Sequence, residues 1–188
     1  MDLTAAIVVG AIVLAALAFV LIRNSIIAAR NRVDEAWSGI DVQLKRRRDL
    51  IPNLVETVKG YAAHEHRVFD EVTRARADAL RATGLKETEA AEQRVSATIA
   101  DLRAIAENYP ALRATENFQH LQADLAEVED EIQASRRIYN ANARTYNTRI
   151  QIFPNSIVAG FGGFTAREYF EIETAAEREP VPVSFTAP

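Results

Sequence analysis

Cysteine is absent from this sequence, which removes disulfides, thiolate zinc sites and cysteine nucleophiles together. Glycine and proline are sparse, seven and six in 188 residues, and aromatic residues make up only 7%. That balance favours helices over many short strands. An excess of positive charge is also missing. A net charge of -4 and a pI near 5.5 argue against a nucleic-acid binder that relies on a broad basic surface, so nucleic acid is not expected as a partner. Mean hydropathy is -0.10 although 48% of residues are hydrophobic, so the apolar residues must be concentrated in one place or patterned against many charges. Both turn out to hold, and the length suits one folded domain with an anchor and a tail.

The concentrated part is Leu3 to Ile22, twenty residues without a charge. That is the length a helix needs to cross roughly 30 Å of hydrocarbon. A cleaved secretory signal is the competing reading, since Ala16-Leu17-Ala18 resembles a small-residue cleavage pattern, but Asp2 stands where a signal peptide carries Lys or Arg, and the apolar run continues through Phe19 to Ile22. Arg23, Arg30 and Arg32 follow the run with no acid among them, whereas the other side offers only the amino terminus and Asp2. The positive-inside rule therefore predicts a single-pass protein with its N-terminus outside and its folded part in the cytoplasm, the three arginines lying at the membrane interface. Within the run, Ala6, Gly10 and Leu14 form a weak small-residue face for helix pairing, or simply lipid-exposed filler.

The patterned part begins at Val33. Val33, Trp37, Ile40, Leu44, Arg47, Ile51, Leu54, Val58, Tyr61, Glu65, Val68, Val72, Ala75 and Ala79 recur at alternating steps of four and three. This period predicts long helices packed in a left-handed, coiled-coil-like bundle. Thr83-Gly84 ends the pattern. A further helix fits Lys86 to Asn108, with Ala91, Val95, Thr98, Leu102, Ile105 and Tyr109 on one seam before Pro110. Another runs from about Thr115, a plausible N-cap, to Ile152, with Phe118, Leu121, Leu125, Val128, Ile132, Ser135, Tyr139, Asn142, Tyr146, Arg149 and Phe153 as its seam. Pro52 divides the first pattern. The unbroken phase favours one kinked helix, whereas matching lengths favour a break that gives Arg23–Leu50, Asn53–Ala82, Lys86–Asn108 and Thr115–Ile152, an up-down-up-down bundle with Asp49 capping its second helix. The length argument is the one adopted. The expected fold is thus all-α: an anchor over residues 1–22, an antiparallel four-helix bundle over 23–176 and a flexible tail over 177–188.

After Pro154, the apolar stretch Asn155 to Phe164 reads as a glycine-rich loop, followed by a short amphipathic helix from Ala166 to about Ala176. In a four-helix bundle this loop returns to the membrane end. There, Phe161 and Phe164 either dip into the interface or close the end of the bundle.

Residues able to carry chemistry are few. His64 and His66 flank Glu65 at a spacing that puts them on different helix faces, unlike the i, i+4 pair of a zinc helix, and His120 stands alone. Gly160, Gly162 and Gly163 precede no Lys-Ser/Thr pair, so no phosphate loop is present and no cofactor is expected. In the basic run Lys45-Arg46-Arg47-Arg48, three side chains should face solvent while Arg47, on the seam, meets a buried acid or amide. Together with Glu65, Ser135, Asn142 and Arg149, Arg47 is expected to form polar layers that fix helix register. Tyr139-Asn140 and Tyr146-Asn147 repeat at a spacing of seven on one helix face, either as semi-buried packing or as a stripe that docks a partner.

Several separated motifs together are distinctive: Ala36-Trp37-Ser38, Ile40-Asp41-Val42-Gln43-Leu44-Lys45-Arg46-Arg47, Asp49-Leu50-Ile51-Pro52-Asn53-Leu54-Val55, Ala106-Glu107-Asn108-Tyr109-Pro110, Arg136-Arg137-Ile138-Tyr139-Asn140 and Phe153-Pro154-Asn155. Through them the chain resembles the LemA family of bacterial proteins over the anchor and the domain to about Phe170. The resemblance implies a single-pass inner-membrane protein with an up-and-down helical bundle in the cytoplasm, and it supplies no catalytic residues. A related protein of magnetosome membranes points to membrane organisation. The expected function is a membrane-anchored, self-associating scaffold that contacts lipids and further copies of itself, without catalysis. The alternative is an adaptor that docks another membrane or envelope-stress protein.

Overall fold

The structure, a computed structural model, describes residues 2–170. Among them the protein is all-α: α1 (Leu3–Lys59), α2 (His66–Arg81), α3 (Gly84–Glu107), α4 (Pro110–Arg113), α5 (Glu116–Gln151) and α6 (Asn155–Gly162). Two compact units form, residues 2–50 with 119–169 and residues 51–118 with Phe170.

In the first unit, α1 begins as the uncharged run. Leu3, Ile7, Ile12, Leu14, Leu17 and Leu21 are exposed, and the helix is long and apolar enough there to cross a membrane. The same helix continues without interruption into a buried stripe of Ile26, Ala29, Val33, Ile40 and Leu44. α5 runs antiparallel to it. Arg149 reaches Ser25 and Asn142 reaches Arg32, so seven residues along one helix match seven in the reverse sense along the other. Leu125, Val128, Ile132, Tyr139, Ala143, Tyr146 and Ile150 are the buried apolar positions of α5 in this unit. Full burial of each large apolar side chain is worth about 1.5–3 kcal/mol, which outweighs the modest helix propensity of the β-branched residues among them.

The predicted break at Pro52 does not occur. α1 passes through Pro52 and ends at Lys59, and Asp49 is an exposed residue inside it. Proline lacks the N–H that the carbonyl of Arg48 would accept in a regular helix. Pro52 is exposed, however, while Ile51, Leu54 and Val58 are buried on either side of it, and their burial favours keeping the helix in phase. The chain instead turns at residues 60–65, where the amides of Tyr61 and Ala62 donate to the carbonyl of Val58 at 3.0 and 2.9 Å. Because the helix is continuous, Pro52→Ala should restore the missing hydrogen bond and raise stability by about 1–3 kcal/mol in chemical denaturation. A break at Pro52 would give no gain.

In the second unit, α2 and α3 form a hairpin around Ala82-Thr83. Gly84 supplies φ 75°, and the Glu87 carboxylate accepts from both the amide and the hydroxyl of Thr83 at 3.1 Å. Phe69, Val72, Ala75 and Ala79 of α2 are buried, as are Ala91, Val95, Ile99, Leu102 and Ala106 of α3. The α3 stripe therefore turns slightly from the predicted one, with Ile99 and Ala106 inside and Thr98, Ile105 and Tyr109 half-buried. At the start of α5, the Thr115 hydroxyl accepts from the amide of Phe118 at 3.4 Å, an N-cap arrangement.

Two expectations beyond Pro154 need correction. The predicted loop is largely the helix α6, closed by Gly163 in the left-handed region at φ 65°, with the Phe164 amide donating to the Ala159 carbonyl at 3.1 Å. The predicted helix from Ala166 does not form up to Phe170, and its remainder, 171–176, lies outside the described residues, as does the expected tail.

Candidate functional site

The second half of α5 carries large amphipathic and amide side chains where the first half carries Leu, Val and Ile. Each of three such residues grips the backbone of the segment after α6. The Tyr139 hydroxyl donates to the carbonyl of Glu168 at 3.1 Å, and the Tyr146 hydroxyl donates to that of Thr165 at 3.0 Å. The Asn147 amide nitrogen donates to the Arg167 carbonyl at 2.8 Å and to the Tyr169 hydroxyl at 3.0 Å, while its oxygen accepts from the Arg167 amide at 2.8 Å. These are the backbone groups a helix from Ala166 would use for itself, which is why the segment runs as a non-helical strap. Phe164 starts it with its ring lying against Gly162, where any Cβ would collide with the ring.

The strap is tied to α1 as well. Arg167 donates to Asp34 at 2.7 Å, and Asp34 lies 3.7 Å from Arg30. Trp37 meets the ring of Tyr139 edge-on at 6.0 Å between centroids. Burial pushes the hydroxyls of Tyr139 and Tyr146 above their usual pKa, opposed in part by the Arg167 guanidinium. Both therefore stay protonated and able to donate at neutral pH.

Toward the apolar run, Arg149 donates to the carbonyl and hydroxyl of Ser25 at 3.0 and 2.7 Å, and the Asn142 amide donates to the carbonyl of Arg32 at 3.3 Å. Farther along the seam, Arg47 is 2% exposed and pairs with Glu129 at 2.8 Å, and Arg46 pairs with Glu127 at 3.0 Å. Arg48 is buried too, 3.4 Å from Asp41, so two of the four residues in the basic run are inside, where one was predicted.

The structure thus gathers Arg47, Asn142 and Arg149 on the α1–α5 seam, and Tyr139, Tyr146 and Asn147 beneath the strap. Asn140 and Ser135 are half-buried on α5. Glu65 does not join the seam as a polar layer: it stands at the N-cap position of α2, in the turn that replaces the expected continuous helix. His64 and His66 are exposed beside it. Tyr139, Tyr146 and Asn147 face the chain's own segment rather than solvent. Arg23, Arg30, Arg32 and Phe161 are exposed, whereas Phe164 is half-buried. Asp34, Glu129 and Arg167 were not singled out from sequence, since Asp34 and Arg167 lie 133 positions apart with no periodicity to link them. Among the described residues, no group of three or more His, Asp or Glu side chains is placed to hold a metal ion.

The model of the LemA family matches residues 36–185. The chain belongs to the LemA family. Its similarity extends to Magnetosome protein MamQ 2 of Paramagnetospirillum magneticum, 27% identical over 192 residues that cover 88% of this chain and 71% of that protein. Magnetosome protein MamQ of Magnetospirillum gryphiswaldense is 28% identical over 166 residues, 74% of this chain and 61% of the relative. Protein LemA of Metamycoplasma hominis is 27% identical over 139 residues, 73% of this chain and 63% of its own length. Neither the LemA nor the MamQ name denotes an enzymatic activity. The LemA match spans the buried seam of α1 from Ala36 onward, all of α5 and the strap, so the gripping geometry lies inside the family region.

Proposed function

We propose that this LemA-family protein is a membrane-anchored, self-associating helical scaffold that organises or shapes the bacterial inner membrane, without catalysis. The observation that carries the reading is the continuity of α1, which joins an exposed apolar run to a buried seam in one helix with no linker. A continuous helix holds the folded part at a set distance from the apolar run, as suits a scaffold at a membrane, where a Gly- or Ser-rich linker would let it wander. The magnetosome relatives support a role at membranes. Arg23, Arg30 and Arg32 beyond the run support a cytoplasmic bundle with the N-terminus outside.

Self-association cannot use the seam, because Val33, Ile40, Leu44, Ile51, Leu54 and Val58 are already buried within the chain. Surfaces left for it include the exposed span with Ala6, Gly10 and Leu14, and the exposed Val42 and Ile138. Light-scattering mass measurement of the full chain in mild detergent should give large oligomers. A strict monomer at micromolar concentration removes the scaffold reading and leaves the adaptor, for which in-cell crosslinks from Val42 or Ile138 to a different membrane or envelope-stress protein are the expected signature.

A further inference from the structure

α6 presents a face that nothing in its own unit covers. Val158 and Ala159 are buried, but Phe161 is 83% exposed, Ile157 52% and Phe153, just before the helix, 79%. Ile157 and Phe161 stand four residues apart, so they share one side of the helix. From Ile150 to Ala166 the sequence carries no charge, and Arg149 and Arg167 flank this stretch. Large apolar side chains on a short helix, bounded by basic residues, suit the boundary between lipid headgroups and acyl chains.

The antiparallel register says where this helix lies. Arg149 sits opposite Ser25. Three residues further, α5 has just ended at Ile152, and three residues back from Ser25 on α1 is Ile22, the last residue of the uncharged run. α5 therefore delivers the chain to the level at which α1 leaves its membrane-length apolar segment. α6 extends about 12 Å from that point, at 1.5 Å per residue. Its N-terminal end is set by the Arg149–Ser25 contacts, and its C-terminal end by the Gly163 cap and the strap clamped on Asn147 and Tyr146.

We propose that α6 and the elbow at Phe153 form a second, interfacial membrane contact, with Phe153, Ile157 and Phe161 seated at the headgroup–acyl boundary of the bilayer that α1 crosses. This rests on the anchoring reading above and adds a second point of contact to it. The bundle then touches the membrane at two sites, and α1 and α5 are both fixed relative to its surface.

The absence of cysteine makes the test direct, because each introduced cysteine is the chain's single labelling site. The chain carrying Phe161→Cys, Ile157→Cys, Ala126→Cys or Ile12→Cys is nitroxide-labelled and reconstituted in phosphatidylcholine–phosphatidylglycerol vesicles; Ala126 and Ile12 are exposed positions outside the surfaces assigned to association. Collision with lipid-soluble oxygen is then compared with collision with a water-soluble nickel chelate. The expected oxygen-to-nickel ratio is highest at position 12, and at 161 and 157 about threefold or more above that at 126, as for an interfacial helix. If position 12 is lipid-exposed while 161 and 157 match 126, the interfacial contact is wrong and the anchor stands. If position 12 itself reads as water, both fail. Labels at 161 and 157 shielded from oxygen and nickel alike would mean that protein covers this face, which also overturns the proposal.

Discussion

Asn147→Ala should be among the most damaging single substitutions in the bundle, lowering unfolding free energy by about 3 kcal/mol, since hydrogen bonds to such groups contribute about 1 kcal/mol each. The side chain makes three hydrogen bonds, two to the backbone of Arg167 and one to the Tyr169 hydroxyl. Alanine fills little of the space and satisfies none of those groups. Denaturant titration of the full chain in mild detergent measures the loss, and hydrogen exchange localises it. The Arg167 amide, which loses its acceptor, should exchange far faster, while amides in α3 should barely change. Asn147→Asp provides an internal check. It keeps an oxygen for the Arg167 amide but sets a charged acceptor against the Arg167 carbonyl at a buried position, so at neutral pH its loss should be at least as large as that of alanine.

The second large effect concerns Arg47, and its size depends on which partner is removed and what replaces it. Glu129→Ala takes away the carboxylate 2.8 Å from a guanidinium that is only 2% exposed. Glu129 itself is 41% exposed, so solvent screens part of the interaction and the expected loss is about 2 kcal/mol, below the range for a fully buried pair. Arg47→Ala also removes the buried stem beside Leu44 and should cost about 3 kcal/mol. Arg47→Met, which keeps the volume and removes the charge, should come within about 1 kcal/mol of the native protein. Thermal or chemical denaturation of the three variants separates the outcomes. A methionine variant as unstable as the alanine variant would show that the charge itself contributes stability.

What the sequence made legible follows the reach of each physical signal. The steps of four and three placed Val33, Ile40, Leu44, Ile51, Leu54 and Val58 in the interior, because a buried helix face must repeat with the helix. The break was misplaced by the matching of helix lengths, and the same regularity did not reveal the true one. Val58, Tyr61, Glu65 and Val68 keep the spacing across residues 60–65, where there is no helix, so the pattern concealed the real turn and Pro52 drew attention as the nearest interruption. Near Pro154, glycine content suggested a loop, yet Gly160 and Gly162 lie within α6 and Gly163 ends it. The strap was the least legible element. Its conformation is set by side chains some twenty residues back along the chain, and hydrogen bonds of that kind leave no periodic trace.

Ile26, the first buried residue of α1, stands only four positions beyond Ile22, the end of the apolar run. That is about 6 Å of helix, little more than one turn. There is no slack in so short a coupling. If the run shifts along its axis by one residue, the first unit must move by about 1.5 Å with it. Any such displacement is passed on undamped, as along a rod rather than a rope.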